Sequence, residues 1–278
     1  METRIEFAVA GERVRGVLHE LDRANGVGLV YLHGWPGNRL GPHRMFVTLA
    51  RRLASLGIAS LRIDCRGRGE SEGETATASI RSMTEDARGA VDWLAARPGI
   101  RAIFLLGICS GAKVAIGAAA DDPRIRGLIL WSAEAMGSLR TRRTGRHRTR
   151  EALRLYLKKL TTLETWRKLV TGRVQTRMVR KAVFRTEAPP PADVREEARH
   201  LVRFQRFAGD LLFVYGGNDP ETRDAAAAYD AFCRRHGLTA VLHEIPEANH
   251  SFYALRWEAE VLDRTTRWLM DHAEPVPR

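Results

Sequence analysis

The chain has 278 residues, 44% of them hydrophobic, with a formal net charge of +12. That is enough apolar material for one large α/β domain or two small ones, and no apolar run reaches the ~18 residues of a membrane-spanning helix. Its first residues, Met1-Glu2-Thr3-Arg4-Ile5-Glu6, hold charges and no apolar signal core, so the expectation is a cytoplasmic protein without a transmembrane segment.

In chain order, residues 4–21 alternate apolar and polar about Gly11-Glu12 and predict a hairpin. Val27 to Leu32 is an apolar strand that ends at His33-Gly34. Residues 43–56 carry Met45, Phe46, Leu49, Leu53 and Leu56 at helical spacing, with Gly57 as the stop. Ile58 to Ile63 is the next strand, and Ile80 to Ala96 a helix with Met83, Ala87, Ala90, Val91 and Leu94 on one face. Ala102 to Leu106 is a strand that runs into Gly107-Ile108-Cys109-Ser110-Gly111 and a helix over 112–120. Strands follow at Gly127 to Trp131, Leu211 to Tyr215 and Ala240 to Ile245, with helices at Asp224 to His236 and Ala254 to His272. Continuous apolar strands alternating with amphipathic helices imply a mostly parallel sheet covered on both faces.

The alternation breaks over 134–208, which is helical in pattern, basic, and interrupted by Pro189-Pro190-Pro191. This stretch reads as a cap inserted in a core made of 1–133 and 209–278. From Ser138 to Thr186 there are 16 Lys+Arg and two Asp+Glu, so the remainder of the chain carries 29 basic and 31 acidic residues. A cap helix over 151–170 would gather Leu153, Tyr156, Leu157, Leu160, Leu163, Trp166 and Leu169 near one face, with Arg154, Lys158, Lys159, Arg167 and Lys168 largely on the other. Such a segment fits either a solvated basic face or recognition of an anionic partner: an acyl carrier protein, coenzyme A, an anionic saccharide or a lipid headgroup. No nucleic-acid recognition motif accompanies the charge.

A strand, a glycine-flanked turn and a helix form the setting of a nucleophile elbow, with Cys109 at its centre. A helix N-terminus favours negative charge and so favours the thiolate. A small cysteine buried in an ordinary strand-to-helix turn would give the same five residues. The other cysteines, Cys65 and Cys233, make an odd total without metal-ligand spacing, and neither a disulfide framework nor a zinc site is expected. Ser110 lies one residue past the centre of the elbow, where its side chain would point away from a base.

Nucleophile, acid and histidine should follow in that order. Asp219 ends the strand that runs into Gly216-Gly217-Asn218, and His250 sits in the loop after the last strand. Glu134, after the strand ending at Trp131, is the alternative acid, and Asp224 a poorer one at a helix start. The oxyanion donors would be the Ser110 N–H and the Trp35 N–H of His33-Gly34-Trp35-Pro36-Gly37, since Pro36 has no N–H. The scheme calls for no cofactor and no metal.

Those residues carry a resemblance. With Asp64-Cys65-Arg66-Gly67-Arg68-Gly69-Glu70-Ser71, the chain resembles α/β-hydrolases of the serine-aminopeptidase-like (Hydrolase_4) group. Within it the chain is most similar to the exosortase A system-associated hydrolases, whose elbow reads G-L-C-D-G-A. They share the H-R-x-F pattern, here His43-Arg44-Met45-Phe46, and a cap pattern matched by Tyr156, Leu160, Trp166-Arg167-Lys168-Leu169 and Gly172. Ser110 replaces the Asp of that elbow, and Thr165 replaces a Phe of that cap pattern. The resemblance implies an α/β-hydrolase fold with an inserted helical cap, and an esterase or thioesterase with a Cys109-His250-Asp219 triad working through an acyl-thioester. Acyl transfer to an alcohol or amine acceptor and a non-catalytic ligand-binding relative are the rival readings. The expected substrate is a small or carrier-bound acyl compound.

Overall fold

A computed structural model describes residues 1–20, 26–35, 37–140 and 191–273. Eight strands form one sheet: β1 (Glu2–Val9), β2 (Glu12–His19), β3 (Val27–Leu32), β4 (Ala59–Asp64), β5 (Ala102–Ile108), β6 (Ile125–Trp131), β7 (Asp210–Gly216) and β8 (Ala240–Ile245). Their order is β1-β2-β4-β3-β5-β6-β7-β8, with β2 antiparallel to both β1 and β4 and the remaining pairs parallel. The β1–β2 turn is Ala10-Gly11, with φ of 50° and 84°. Two positive φ angles give a two-residue turn the twist that adjacent strands require.

Six α-helices are described: α1 (Met45–Ser55), α2 (Ile80–Ala95), α3 (Ser110–Ala119), α4 (Pro191–Phe204), α5 (Arg223–His236) and α6 (Leu255–His272). Alternate side chains of each central strand serve opposite faces. Leu29, Leu106 and Ile129 meet Leu49 and Leu53 of α1 and Val261 and Leu269 of α6. Val30, Leu105 and Leu128 meet Met83 of α2, Val114 of α3, Leu201 and Phe204 of α4, and Tyr229 of α5. Burial on both faces explains why β3 and β4 are apolar or satisfied throughout rather than alternating. The fold is the α/β-hydrolase fold. Among the described residues no helix is long and apolar enough to cross a membrane.

The interval between β6 and β7 is described at its two ends, 134–140 and 191–208. Met136, Leu201, Phe204 and Phe207, all inside the 134–208 stretch assigned to a cap, belong to the core beneath the sheet. Phe204 stacks on Phe207 and Phe232. The apolar face of α4 thus packs on the core, a pattern that periodicity alone does not distinguish from that of other packed helices. The basic residues over 141–190, including the expected 151–170 helix, lie outside the described residues.

Candidate active site

The parallel strands all point their C-terminal ends to one edge, where clefts of open α/β sheets form. The loops after β3, β5, β6, β7 and β8 bring Trp35, Cys109, Glu134, Asp219 and His250 to that edge.

Cys109 holds φ 58° and ψ −123° between β5 and α3. A side chain at such angles costs about 1–3 kcal/mol and persists only where neighbours enforce it. The Cys109 N–H donates to the Trp131 carbonyl of β6 at 2.9 Å, and the Ala112 N–H donates back to the Cys109 carbonyl at 3.1 Å. The flanking glycines are required by space: a Cβ on Gly107 would stand 2.7 Å from the Ala112 nitrogen, and one on Gly111 2.7 Å from the His33 carbonyl oxygen. The turn leaves the Cys109 thiol half-exposed at the sheet edge, whereas Cys65 and Cys233 are buried. Burial pushes both of those thiols up, Cys233 to about 11.

Asp219 is 1% exposed. Its Oδ1 accepts from the Glu221 N–H at 3.0 Å, and its Oδ2 from the Thr222 hydroxyl at 2.5 Å. The same Oδ2 meets His250 Nδ1 at 2.7 Å. Burial works to raise the Asp219 carboxyl, but the His250 contact and the Thr222 hydroxyl outweigh it and hold it below its ordinary value. Burial works to lower His250, but the bond to Asp219 and the interaction with Cys109 push it up to about 10. The Ser132 hydroxyl fixes the loop by donating to the His250 carbonyl at 2.8 Å.

The Glu134 carboxylate meets Cys109 and Lys113. Its Oε1 accepts from the Cys109 thiol at 3.3 Å, and its Oε2 pairs with Lys113 Nζ at 2.7 Å. Lys113, 5% exposed, also lies 3.4 Å from Glu197 Oε1, which Arg140 meets at 2.6 Å. The Glu197 Oε2 accepts from the Gly137 N–H at 3.1 Å. The sequence reading missed Lys113, Glu197 and Thr222. A lone lysine inside the apolar run Ala112 to Ala120 was a signal for Lys113; Glu197 and Thr222 carried none.

The Trp35 N–H donates to the Ser110 hydroxyl at 2.7 Å, so this hydroxyl ties the β3 loop to the elbow. The Arg68 guanidinium lies 3.6 Å over the Trp35 ring. His33 and Asp64 act as braces: His33 Nε2 accepts from the Cys65 N–H at 3.1 Å, and Asp64 accepts from the Arg39 and Glu70 N–H groups at 2.7 and 2.9 Å. Asp224 lies in the first turn of α5, as a helix start. Among the described residues no cluster of His, Cys, Asp or Glu is arranged to hold a metal.

A family model described as Hydrolase_4, serine aminopeptidase, S33, matches residues 43–254. The chain belongs to the Hydrolase_4 family. Among its relatives, lysophosphatidylserine lipase ABHD12 of Macaca fascicularis is 42% identical over 87 residues, which span 31% of this chain and 21% of the lipase. Thiohydrolase aneE of Aspergillus aculeatus is 36% identical over 131 residues, 46% of this chain and 40% of that protein. The chain thus spans well under half the length of these curated relatives. An esterase of Pyrococcus furiosus superposes with a TM-score of 0.71 at 18% identity, covering 98% of this chain and 91% of the esterase. At that identity the likeness is one of fold.

Proposed function

We propose that this Hydrolase_4 member hydrolyses esters or thioesters through an acyl-thioester on Cys109. The observation that carries the reading is His250, which meets Asp219 at 2.7 Å through one ring nitrogen, in a loop at the same sheet edge as the Cys109 elbow. Such a histidine takes or holds the thiol proton, and Asp219 orients it and stabilises the imidazolium.

The Cys109 sulfur attacks the carbonyl carbon, and an S–C bond forms as the C=O pair moves to oxygen. The Ser110 and Trp35 N–H groups are the donors for that oxyanion, each worth about 2.7–4 kcal/mol of barrier. For Trp35 to serve, its N–H has to be shared with, or released by, the Ser110 hydroxyl that it meets at 2.7 Å. The oxyanion collapses, the thiol or alcohol leaves with the His250 proton, and Cys109 carries the acyl group. His250 then takes a proton from water, which attacks the thioester and releases the acid. The returning proton restores the starting state. Acylation removes the free Cys109 sulfur that helps to raise His250, so one support of the imidazolium is withdrawn when a base is needed.

The names of two relatives, a lipase and a thiohydrolase, support ester and thioester bonds as the substrates. The cysteine elbow and the Tyr156 to Gly172 pattern lead us to propose kinship with the exosortase A system-associated hydrolases. We further propose the basic 138–186 segment as the contact for an anionic carrier, such as an acyl carrier protein. The test is turnover of an acyl-thioester panel together with the intact mass of the protein. Wild type forms an acyl adduct on Cys109, and Cys109→Ala forms none and turns nothing over. Undiminished turnover by Cys109→Ala refutes the reading. Release of free acid alone, with alcohol and amine acceptors present, separates hydrolysis from acyl transfer.

A further inference from the structure

The Ser110 hydroxyl is the polar side-chain group next to the nucleophile in sequence, and the proposed mechanism gives it no chemical role. The residue is 7% exposed. Its oxygen accepts from the Trp35 N–H at 2.7 Å. A backbone nitrogen donates and does not accept, so the hydroxyl hydrogen takes no part in that bond. Among the described residues that hydrogen meets no acceptor. A buried hydroxyl with an unused hydrogen is costly unless water or a ligand takes it.

Its place points to the ligand. Ser110 opens α3 directly after Cys109. The N–H of a first helical residue has no carbonyl one turn behind it, so it is open to an oxyanion. Gly34 lies against both side chains: a Cβ there would stand 3.0 Å from Cys109 Cβ and 3.5 Å from Ser110 Oγ. The hydroxyl thus sits in the seam between the elbow and the loop after β3, where the oxyanion donors have to converge.

The Trp35 N–H stands one bond further back. Successive hydrogen bonds of ~2.7–3.0 Å that meet at a tetrahedral oxygen put their outer atoms more than ~4 Å apart. With Ser110 Oγ between them, the Trp35 nitrogen is beyond direct reach of an oxygen that the hydroxyl holds. An oxygen that already accepts an N–H is polarised and donates its own hydrogen more strongly. The hydroxyl hydrogen turns about the Cβ–Oγ bond, so Oγ stays on Trp35 while it donates.

We propose that the Ser110 hydroxyl is a catalytic oxyanion donor: together with the Ser110 N–H it holds the oxygen that turns negative when Cys109 attacks, and the Trp35 N–H acts through it. The proposal rests on the acyl-thioester reading above. In that step the S–C bond forms, the C=O pair moves to oxygen, and Ser110 keeps its proton.

The experiment uses the full chain and N-acetylcysteamine thioesters of acetyl, butyryl and octanoyl groups, each beside the dithioester in which sulfur replaces the carbonyl oxygen. Sulfur is the weaker acceptor, so a donor aimed at the oxyanion favours the oxygen compound. Each kcat/KM is divided by the rate constant for attack of free N-acetylcysteine thiolate on the same compound, which removes intrinsic reactivity. Wild type is expected to prefer the oxygen compound by on the order of ten-fold or more. In folded Ser110→Ala or Ser110→Gly the preference falls about three-fold or more, because one donor is gone. Loosening of the Trp35 loop alone slows both compounds alike and leaves the preference unchanged. Ser110→Thr, which keeps a hydroxyl, retains the wild-type preference. An undiminished preference in the variants without the hydroxyl overturns the proposal, and so does a Ser110→Thr that behaves as they do. A wild type with no preference overturns it without any variant. Acyl adducts on Cys109 alongside such results leave the acyl-thioester reading standing. Failure of every thioester to acylate Cys109 removes both.

Discussion

Asp219→Asn isolates the support that the buried carboxylate gives to His250. The rise of His250 from 6.5 to about 10 is a preference for the imidazolium of ~5 kcal/mol. Asp219 and Cys109 both contribute to it, against burial. If the two contribute about equally, the substitution removes ~2–3 kcal/mol, a factor of about 30–150 in the imidazolium population. Asn also offers an N–H₂ group toward Nδ1, which favours the wrong tautomer, and triads that lose this carboxylate lose up to about 10⁴ in kcat. A fall in kcat/KM between ~10² and ~10⁴ is expected, with little change in KM. The assay is the pH profile of thioester turnover alongside an NMR titration of the His250 ring, whose midpoint should move toward the ordinary histidine value. A titration that matches wild type, with activity lowered less than about three-fold, would refute the assignment of Asp219 as the group that orients His250.

The stability linked to His250 has a definite sign. Its folded-state value is raised, so its contribution is complete below the unfolded value near 6.5 and is lost as pH rises through about 10. Urea titrations should show unfolding free energy declining by a few kcal/mol over that window, and His250→Gln should lack this component. The buried Trp131 indole donates to the Thr265 hydroxyl at 3.0 Å, so Thr265→Val should cost about 1–3 kcal/mol in the same experiment. Gly111→Ala drives a methyl group into the Leu32 and His33 carbonyls and should destabilise by more than ~2 kcal/mol, or prevent folding. Ser110→Ala should still form an acyl adduct, with kcat/KM lowered about three- to thirty-fold through loosening of the Trp35 loop. Loss of the adduct in that variant would point to Ser110 as the nucleophile.

The fold was legible because the central strands announce themselves by apolar runs and most helices by spacing, while α3 is buried throughout. Gly57, placed by sequence as a stop, has φ 82° just past α1. The parts that were not legible are those where periodicity is silent. The 191–204 helix has the amphipathic pattern of a cap, and only its partners in space show that Leu201 and Phe204 are core. At the site, chain order proposed Asp219 and left Glu134 open. The distance of 2.7 Å from Asp219 to His250 supports the proposed role of Asp219, and Glu134 meets sulfur. Both follow from loop paths that residue types do not encode. Lys113 was written plainly as a charge in an apolar helix, but its two acidic partners come from positions 134 and 197, remote in sequence.

The backbone angles of Cys109 imply that the fold holds this position against the preference of its own side chain. At φ 58° and ψ −123° glycine would be comfortable, and a cysteine is not. Cys109→Gly should therefore unfold at higher denaturant than wild type, by up to ~1–2 kcal/mol, while forming no adduct. A screen for robustness alone would drift toward that glycine and erase the thiol. A screen that rewards turnover would keep it. Engineering this chain for heat tolerance should leave position 109 alone and seek its gains elsewhere.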